Sequence, residues 1–169
     1  MIEVNNLTKR KVPEVLLKKA TERVLRGEFT LNERSESKGK IKQKDVSIAI
    51  VGPKKSRELN KRYRNKNKAA NVLSFPAGND RIPSDLSRSR EPRPSWRGAE
   101  SREVEGYLGE IVLCPAEIQK DAKKYGMMFE QALLWMLVHG ILHLTGYDHK
   151  TDEQAVRMEK KEQHYLSHI

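Results

Sequence analysis

The 169-residue sequence has few of the features that mark secreted, disulfide-bonded or membrane proteins. Cys114 is its only cysteine, so no intrachain disulfide can form, and the chain suits a reducing compartment. Its first residues do not combine a charged stretch with an apolar one, as a secretory signal peptide does. The longest mostly apolar run, 132–144, is well short of the roughly 20 residues that span a bilayer. We therefore expect a cytoplasmic protein in which Cys114 is a buried thiol.

Acidic residues are also in short supply. Lysine and arginine number 33 against 23 aspartate and glutamate, which gives a net charge of +10. This excess favours a polyanionic partner, with nucleic acid ahead of a membrane surface, although a basic and well-solvated surface has the same composition. The densest positive stretch, 54–68, holds eight basic residues and a single acid, Glu58.

The order of the apolar patterns predicts an α+β protein, in which a small mixed sheet is covered by helices. Strands are expected at 2–4, 46–51, 71–75 and 107–113, and helices at 13–26, 56–63, 115–124, 129–144 and from 151 nearly to the C-terminus. The helix at 129–144 is apolar on almost every side, which is typical of a central helix. The length suits a single domain, 1–169, but the sequence does not give the strand order.

Individual residues predict where three of the helices begin or end. Gly27 is expected to stop the first helix and Ser56 to cap the second. Thr151 with Gln154 three residues later is a capping-box pattern for the last helix. The expected buried stripe of the first helix consists of Val15, Leu16, Leu17, Ala20, Val24 and Leu25.

Two polar segments, 32–45 and 77–105, are expected to be loops. The second shifts to Arg, Ser, Pro, Gly and Asp and keeps few apolar residues. We therefore expect it to be a long flexible loop within the domain rather than a second domain. Trp96 is the exception, and it could anchor the loop, contact a partner or simply be exposed.

Three of the five histidines fall within residues 139–149, at spacings of four and six residues. His139 and His143 are one helical turn apart, so both imidazoles leave the same helix face. Gly146 follows where the helix must end, and a left-handed turn there can bring His149 back towards them. Three imidazoles with an open fourth position are the ligand set of a catalytic zinc, which predicts a metal-dependent hydrolase. Alternatively, the imidazoles hydrogen-bond to the backbone and merely end the helix.

The spacing of these histidines is that of the metzincin proteases, His-Glu-x-x-His-x-x-Gly-x-x-His, except that Gly140 replaces the glutamate. That glutamate is the general base of those proteases, so its absence argues against a peptidase. Asp148 is the nearest carboxylate in the sequence, and it could orient an imidazole, act as a base or cap the next helix. A second pair, His164 and His168, lies on a polar helix without a third partner, and we do not expect it to bind metal.

The stretch 139–149 closely resembles the signature His-Gly-x-Leu-His-Leu-x-Gly-Tyr-Asp-His of the YbeY family of bacterial endoribonucleases. Other blocks that resemble this family follow one another in the same order: Leu59-Asn-Lys-Arg-Tyr-Arg64, Asn71-Val-Leu-Ser-Phe-Pro76 and Leu108-Gly-Glu-Ile-Val112. Together the blocks cover most of residues 46–165. Ala69-Ala70 departs from the Pro-Thr-like pair that is expected there, and the segment 77–105 is longer than usual.

The resemblance implies a zincin-like α+β fold in which His139, His143 and His149 hold one zinc ion. It also implies a zinc-dependent endoribonuclease directed at single strands, which acts in ribosomal RNA maturation, including processing of the 3′ end of 16S ribosomal RNA, and in ribosome quality control. The family's key arginine falls on Arg64, where a guanidinium could pair with a phosphate. RNA and the ribosome are the implied partners. A non-catalytic, zinc-stabilised ribosome-assembly factor and a metallopeptidase stay open as alternatives.

Overall fold

The computed structural model describes residues 1–32, 44–77 and 106–169, which contain five helices and a four-stranded sheet. The strands are β1 (Ile2–Asn6), β2 (Asp45–Ile50), β3 (Val72–Pro76) and β4 (Tyr107–Leu113). The helices are α1 (Glu14–Asn32), α2 (Pro53–Arg64), α3 (Pro115–Lys124), α4 (Phe129–Leu144) and α5 (Asp152–Leu166). The predicted α+β class is confirmed. The expected loop at 77–105, beyond its first residue, and Trp96 lie outside the described residues.

The sheet has the strand order β1-β2-β4-β3. Strands β1, β2 and β4 run parallel to one another, while β3 runs antiparallel to β4. The sheet is therefore mixed, as expected. Strand β3 lies at one edge of the sheet, beyond β4, although it precedes β4 in the sequence.

The two faces of the sheet pack against different helices, because successive side chains of a strand point to opposite faces. One face joins α1, α3, α4 and α5 in the main core through Val46, Ile48, Ile50, Val72, Ile111 and Leu113. The other face packs against α2 through Ala49, Leu73, Phe75 and Val112, with Leu59 and Tyr63 contributed by the helix. Helices α2 and α4 therefore lie on opposite sides of the sheet.

Helix α4 has the predicted bounds, and nine of its sixteen residues are buried. Gly140 allows it to approach the sheet closely. A Cβ atom at this position would lie 3.1 Å from Cγ2 of Ile111, 3.2 Å from Oγ of Ser74 and 3.3 Å from Cγ2 of Val72. The Ser74 hydroxyl also donates a hydrogen bond to the Gly140 carbonyl, at 3.2 Å. Residue 140 thus faces the sheet at strands β3 and β4.

The prediction that Gly27 ends the first helix is wrong, because α1 continues to Asn32. Gly27 instead lies against Tyr165 of α5, whose hydroxyl oxygen would be 2.5 Å from a Cβ atom at position 27. The glycine therefore serves close packing between two helices rather than termination. Val15 was expected in the buried stripe but is 69% exposed, whereas Leu17 is fully buried.

The prediction that Ser56 caps the second helix is also wrong. Helix α2 begins one turn earlier, at Pro53, with Gly52 as its N-cap residue. Ser56 is buried, and its hydroxyl donates to the Ala70 carbonyl at 2.7 Å and accepts from the Ala70 N–H at 2.9 Å. It therefore holds the chain that follows α2 against the helix.

The predicted capping box at the start of α5 is confirmed. The Gln154 N–H donates to the Thr151 hydroxyl at 3.3 Å, and the Thr151 N–H donates to Oε1 of Gln154 at 3.3 Å. Cys114 is buried as expected, and burial raises the pKa of its thiol. Within the described ranges no single helix is long and apolar enough to cross a membrane. Taken together, α3 and α4 have the length and composition of a membrane span, but the two helices are bent by 113° relative to each other.

Candidate metal centre

The structure brings His139, His143 and His149 together. One ring nitrogen of each lies within 4.8 Å of those of the other two. The Nε2 atoms of His139 and His143 are 3.1 Å apart. Two nitrogens that bind one tetrahedral zinc ion, each at about 2.0–2.1 Å, lie roughly 3.3 Å from one another. The pair on α4 therefore has the spacing of two ligands of a single ion, and the third imidazole lies beside it.

The sharp turn after α4 places His149. Gly146 has a φ of +98°, in the left-handed region that the sequence predicted for it. The Gly146 N–H donates to the His143 carbonyl at 3.2 Å, and the Tyr147 N–H donates to the Leu142 carbonyl at 2.9 Å. These two bonds reverse the chain, so that the third histidine returns to the face of α4 that carries the first two.

In His139 and His143, whose Nε2 atoms face each other, Nδ1 has a hydrogen-bond acceptor. Nδ1 of His139 lies 2.7 Å from Oε1 of Glu162, and Nδ1 of His143 lies 3.0 Å from the Tyr147 carbonyl oxygen. An acceptor at Nδ1 favours the tautomer with the hydrogen there, which leaves the Nε2 lone pair free for a metal. The donor set therefore fits a metal ion such as zinc, for which imidazole nitrogen is a common ligand.

Glu162 is a site residue that the sequence analysis missed. The residue is only 9% exposed, and its Oε2 accepts a hydrogen bond of 2.7 Å from Nε1 of Trp135. One signal could have identified it: Met158, Glu162 and Tyr165 are the buried positions of α5 and lie at helical spacing. A charged residue in such an apolar stripe requires a partner, and here the partner is the His139 imidazole of the candidate metal centre.

The electrostatics of the site favour the form of His143 that binds metals. Burial, followed by the nearby His139 ring, lowers the pKa of His143 below its usual value. The imidazole is therefore neutral at neutral pH, as a metal ligand must be.

Asp148 is next to His149 in sequence and binds its backbone rather than a histidine ring. Oδ1 accepts from the His149 N–H at 2.8 Å, and Oδ2 lies 2.7 Å from Nζ of Lys150. The hydrogen bond from Lys150, followed by that from His149, lowers the pKa of Asp148. Because Thr151 caps α5, Asp148 contributes to the conformation of the turn and not to the cap.

Arg64 is exposed and is the last residue of α2, the helix that packs on the opposite face of the sheet from α4. It lines a cleft of about 520 Å³ together with the basic side chains of Lys66, Lys68 and Lys120. Within the described residues no hydrogen bond or ion pair joins Arg64 to the three histidines. Strand β3 lies between the cleft and helix α4: Val72 lines the cleft, and its Cγ2 would lie 3.3 Å from a Cβ atom at position 140 of α4.

The second histidine pair forms local hydrogen bonds at the end of the chain. Nδ1 of His168 lies 2.6 Å from the His164 carbonyl oxygen, and the two ring centroids are 4.9 Å apart. Both residues are exposed. In the part of the chain that the structure describes, the candidate group of three metal-binding side chains is the one at 139–149.

Comparison with known proteins gives a consistent family. A sequence profile described as Endoribonuclease YbeY matches residues 3–169. An Endoribonuclease YbeY of Thermodesulfovibrio yellowstonii is 33% identical over 175 aligned positions, covering 99% of this chain and 98% of the relative. An Endoribonuclease YbeY of Bartonella bacilliformis is 38% identical over 125 aligned positions, covering 74% of this chain and 68% of the relative.

A solved structure shares the fold. The solution structure of a Thermotoga maritima protein aligns with a TM-score of 0.54 at 23% identity, and the alignment covers 98% of this chain and 87% of that one. The family profile extends over nearly the whole sequence, and it includes the three histidines whose geometry is described above. The chain therefore belongs to the YbeY endoribonuclease family.

Proposed function

We propose that this chain is a metal-dependent endoribonuclease that cleaves single-stranded RNA during ribosomal RNA maturation. Its targets include the 3′ end of 16S ribosomal RNA and ribosomes undergoing quality control, and it works in the cytoplasm on or near the ribosome. Family membership supports this reaction. The observation that carries it is the convergence of the His139, His143 and His149 imidazoles. In the first two, the fold also supplies a hydrogen-bond acceptor to Nδ1, the nitrogen that does not face the neighbouring ring.

The proposed cofactor is one zinc ion held by these three imidazoles. When bound, zinc supplies a Lewis acid and lowers the pKa of a coordinated water to about 7. Glu162 and the Tyr147 carbonyl hold two of the rings in the orientation that binding needs. Because residue 140 faces the sheet, a side chain there would point towards Ile111 and Ser74, which argues against a peptidase that uses a base at this position.

Arg64 is the proposed phosphate ligand. A guanidinium pairs with a phosphate through two hydrogen bonds and stabilises the charge that develops during phosphodiester cleavage. Since α2 and α4 lie on opposite faces of the sheet, we infer that the RNA passes around the edge strand β3, between the cleft of Arg64 and the histidines. The basic stretch 54–68 would contact the RNA backbone without reading its sequence.

The test is cleavage of a single-stranded RNA by the metal-stripped protein before and after zinc is restored. Activity should return with zinc and should be lost in His143→Ala and Arg64→Ala. Arg23→Ala is the matched control, because Arg23 is an exposed arginine on α1, away from the cleft. Equal activity in all these samples would indicate a contaminating nuclease and reject the proposal.

A non-catalytic ribosome-assembly factor is the second candidate. One observation favours it: among the described residues, two carboxylates beside the histidines already have partners, Glu162 with Trp135 and His139, and Asp148 with Lys150. Neither is an evident general base. Ribosome binding by a wild-type protein that cleaves no RNA, and that keeps this binding after Arg64→Ala, would support the assembly factor.

A further inference from the structure

Glu28 lies where α1, α5 and the turn after α4 meet, and it is 5% exposed. Oε1 accepts a hydrogen bond of 2.6 Å from the Tyr165 hydroxyl and one of 2.8 Å from Nζ of Lys161. Oε2 accepts one of 2.9 Å from the Tyr147 hydroxyl. Both oxygens of this buried carboxylate are therefore bound by donors from the C-terminal part of the chain.

Tyr147 connects this carboxylate to the candidate metal centre. Its hydroxyl binds Glu28, its N–H donates to the Leu142 carbonyl, and its own carbonyl oxygen lies 3.0 Å from Nδ1 of His143. It also lies between Gly146, whose positive φ reverses the chain, and His149. The orientation of this one residue therefore affects both the second and the third imidazole.

We propose that Glu28 is a positioning residue of the metal centre, which holds the turn 145–149 through the Tyr147 hydroxyl. In this arrangement the Tyr147 carbonyl faces Nδ1 of His143, and His149 faces the two histidines of α4. The inference rests on the proposed function to the extent that a metal binds there. It adds to the candidate metal centre a residue, Glu28, that is 119 positions away from Tyr147 in the sequence.

The charge of Glu28 makes this contact strong. Burial alone would raise the pKa of Glu28, but the hydrogen bonds from Lys161, Tyr165 and Tyr147 outweigh it and leave the pKa below its usual value. The carboxylate is therefore ionised at neutral pH, and hydrogen bonds to an ionised acceptor are shorter and stronger than neutral ones. The absence of a side chain at Gly27 leaves the space that the Tyr165 ring occupies beside Glu28.

The two tyrosines allow a controlled test. Tyr147 and Tyr165 each donate one hydroxyl to the same carboxylate, but only Tyr147 belongs to the turn. Replacing either by phenylalanine removes one hydroxyl from Glu28 and keeps the ring. A difference between the two variants therefore reports the link to the turn and not a general loss of stability.

The first measurement is the zinc affinity of the metal-stripped full chain, by competition with a chromophoric chelator at constant pH. Loss of a group that orients a metal ligand typically weakens metal affinity roughly 10- to 100-fold. We expect Tyr147→Phe and Glu28→Gln to weaken zinc binding by about tenfold, and Tyr165→Phe to leave it within about twofold. Circular dichroism would establish that each variant is folded.

The second measurement is the tautomer of His143 in the metal-free protein, read from the ¹⁵N chemical shifts of its ring. The wild type and Tyr165→Phe should carry the hydrogen on Nδ1, where the Tyr147 carbonyl accepts it. Tyr147→Phe should give a mixture of the two tautomers. A residue that only contributed to stability would leave the tautomer of a folded variant unchanged.

Two results would overturn the inference: unchanged zinc affinity and tautomer in Tyr147→Phe, or equal losses in both phenylalanine variants. A wild-type protein that bound no zinc would instead reject the proposed metal centre. The tautomer measurement needs no metal, so it would still decide whether the hydroxyl of Tyr147 holds the turn through Glu28.

Discussion

Oε1 of Glu162 lies 2.7 Å from Nδ1 of His139, so that a carboxylate of α5 faces an imidazole of α4. The other oxygen of Glu162 accepts from Nε1 of Trp135, one helical turn before His139. The indole fixes the carboxylate, and the carboxylate orients the ring. An acceptor of this kind also makes the imidazole a better metal ligand.

Replacing Glu162 by glutamine should therefore weaken zinc binding. We expect a loss of about tenfold, at the lower end of the range for groups that orient a metal ligand, since glutamine keeps the shape but not the charge. Chelator competition with the metal-stripped protein would measure it. Trp135→Phe is the comparison variant: it removes the donor that fixes the carboxylate but keeps the charge and the contact with His139, so we expect a smaller loss than in Glu162→Gln. Equal losses in the two variants would contradict an orienting role for the carboxylate charge.

Zinc should stabilise the folded protein. At a free concentration of 100 times its dissociation constant, a ligand that binds only the folded state adds about 2.7 kcal/mol to the free energy of unfolding. Urea denaturation with zinc and with a chelator would show this difference in the wild type. His143→Ala should lose most of it, whereas His164→Ala should keep it, because His164 belongs to the exposed pair. A wild type with the same stability in both conditions would reject the metal centre.

Gly140→Ala should destabilise the protein, although alanine is the better helix former by about 1 kcal/mol. The added methyl group would press on Ile111, Ser74 and Val72 at 3.1–3.3 Å, and overpacking of a core typically costs about 1–3 kcal/mol. We expect a net loss of about 1 kcal/mol in the free energy of unfolding.

Val72→Ala offers a check on this packing argument. If the methyl group at 140 presses on Val72, the double variant should be more stable than the sum of the two single changes indicates, which a double-mutant cycle measures. Strict additivity would contradict the contact between helix and strand.

Glu28 should make stability depend on pH in the acid range. Its pKa in the folded protein is below the usual value of 4.5, so its contribution is fully present above that value and is lost as the pH falls through the lower folded pKa. Glu28→Gln should lower the free energy of unfolding by about 2 kcal/mol near neutral pH, since it weakens hydrogen bonds to a charged group. On acidification, the free energy of unfolding of Glu28→Gln should fall by less than that of the wild type. Parallel pH profiles for the two proteins would contradict this.

RNA affinity should depend on the lysines of the cleft near Arg64. Each phosphate contact that is removed should reduce the slope of log affinity against log salt by about 0.7 for a single strand. We expect Lys68→Ala to weaken RNA binding to a similar degree for unrelated sequences, and to reduce the slope by about this amount. Lys19→Ala, at an exposed position of α1, is the control and should leave the slope unchanged. An unchanged slope in Lys68→Ala would place the RNA elsewhere.

Local patterns predicted those parts of the molecule that depend on neighbours in the sequence. The bounds of α4, the positive φ of Gly146 and the capping box at Thr151 all follow from residues within a few positions of one another. The predictions for Gly27 and Ser56 were wrong because the partners of these residues, Tyr165 and Ala70, are brought to them only by the fold. A glycine after an apolar stripe gives the same local pattern in both cases, whether it ends the helix or packs against a ring that is distant in the sequence. The pattern alone therefore cannot distinguish them.

The partners of Glu162 and Glu28 could not be assigned for the same reason. Glu162 lies 23 residues after His139, and Glu28 lies 119 residues before Tyr147, so no spacing rule relates them. The strand order was equally inaccessible, since β4 inserts between β2 and β3. Without that order, the sequence could not show that α2, which ends at Arg64, and α4, which carries two of the histidines, pack on opposite faces of the sheet.

The contact of Gly140 with the sheet limits how this protein can change in evolution. A single substitution at that position cannot supply a new acid or base, because any side chain there enters the space between α4 and strands β3 and β4. Helix α4 would first have to move away from the sheet, and the two histidines would move with it. New chemistry at this centre is therefore more accessible through changes in the surrounding turns than through the helix that carries two of its candidate ligands.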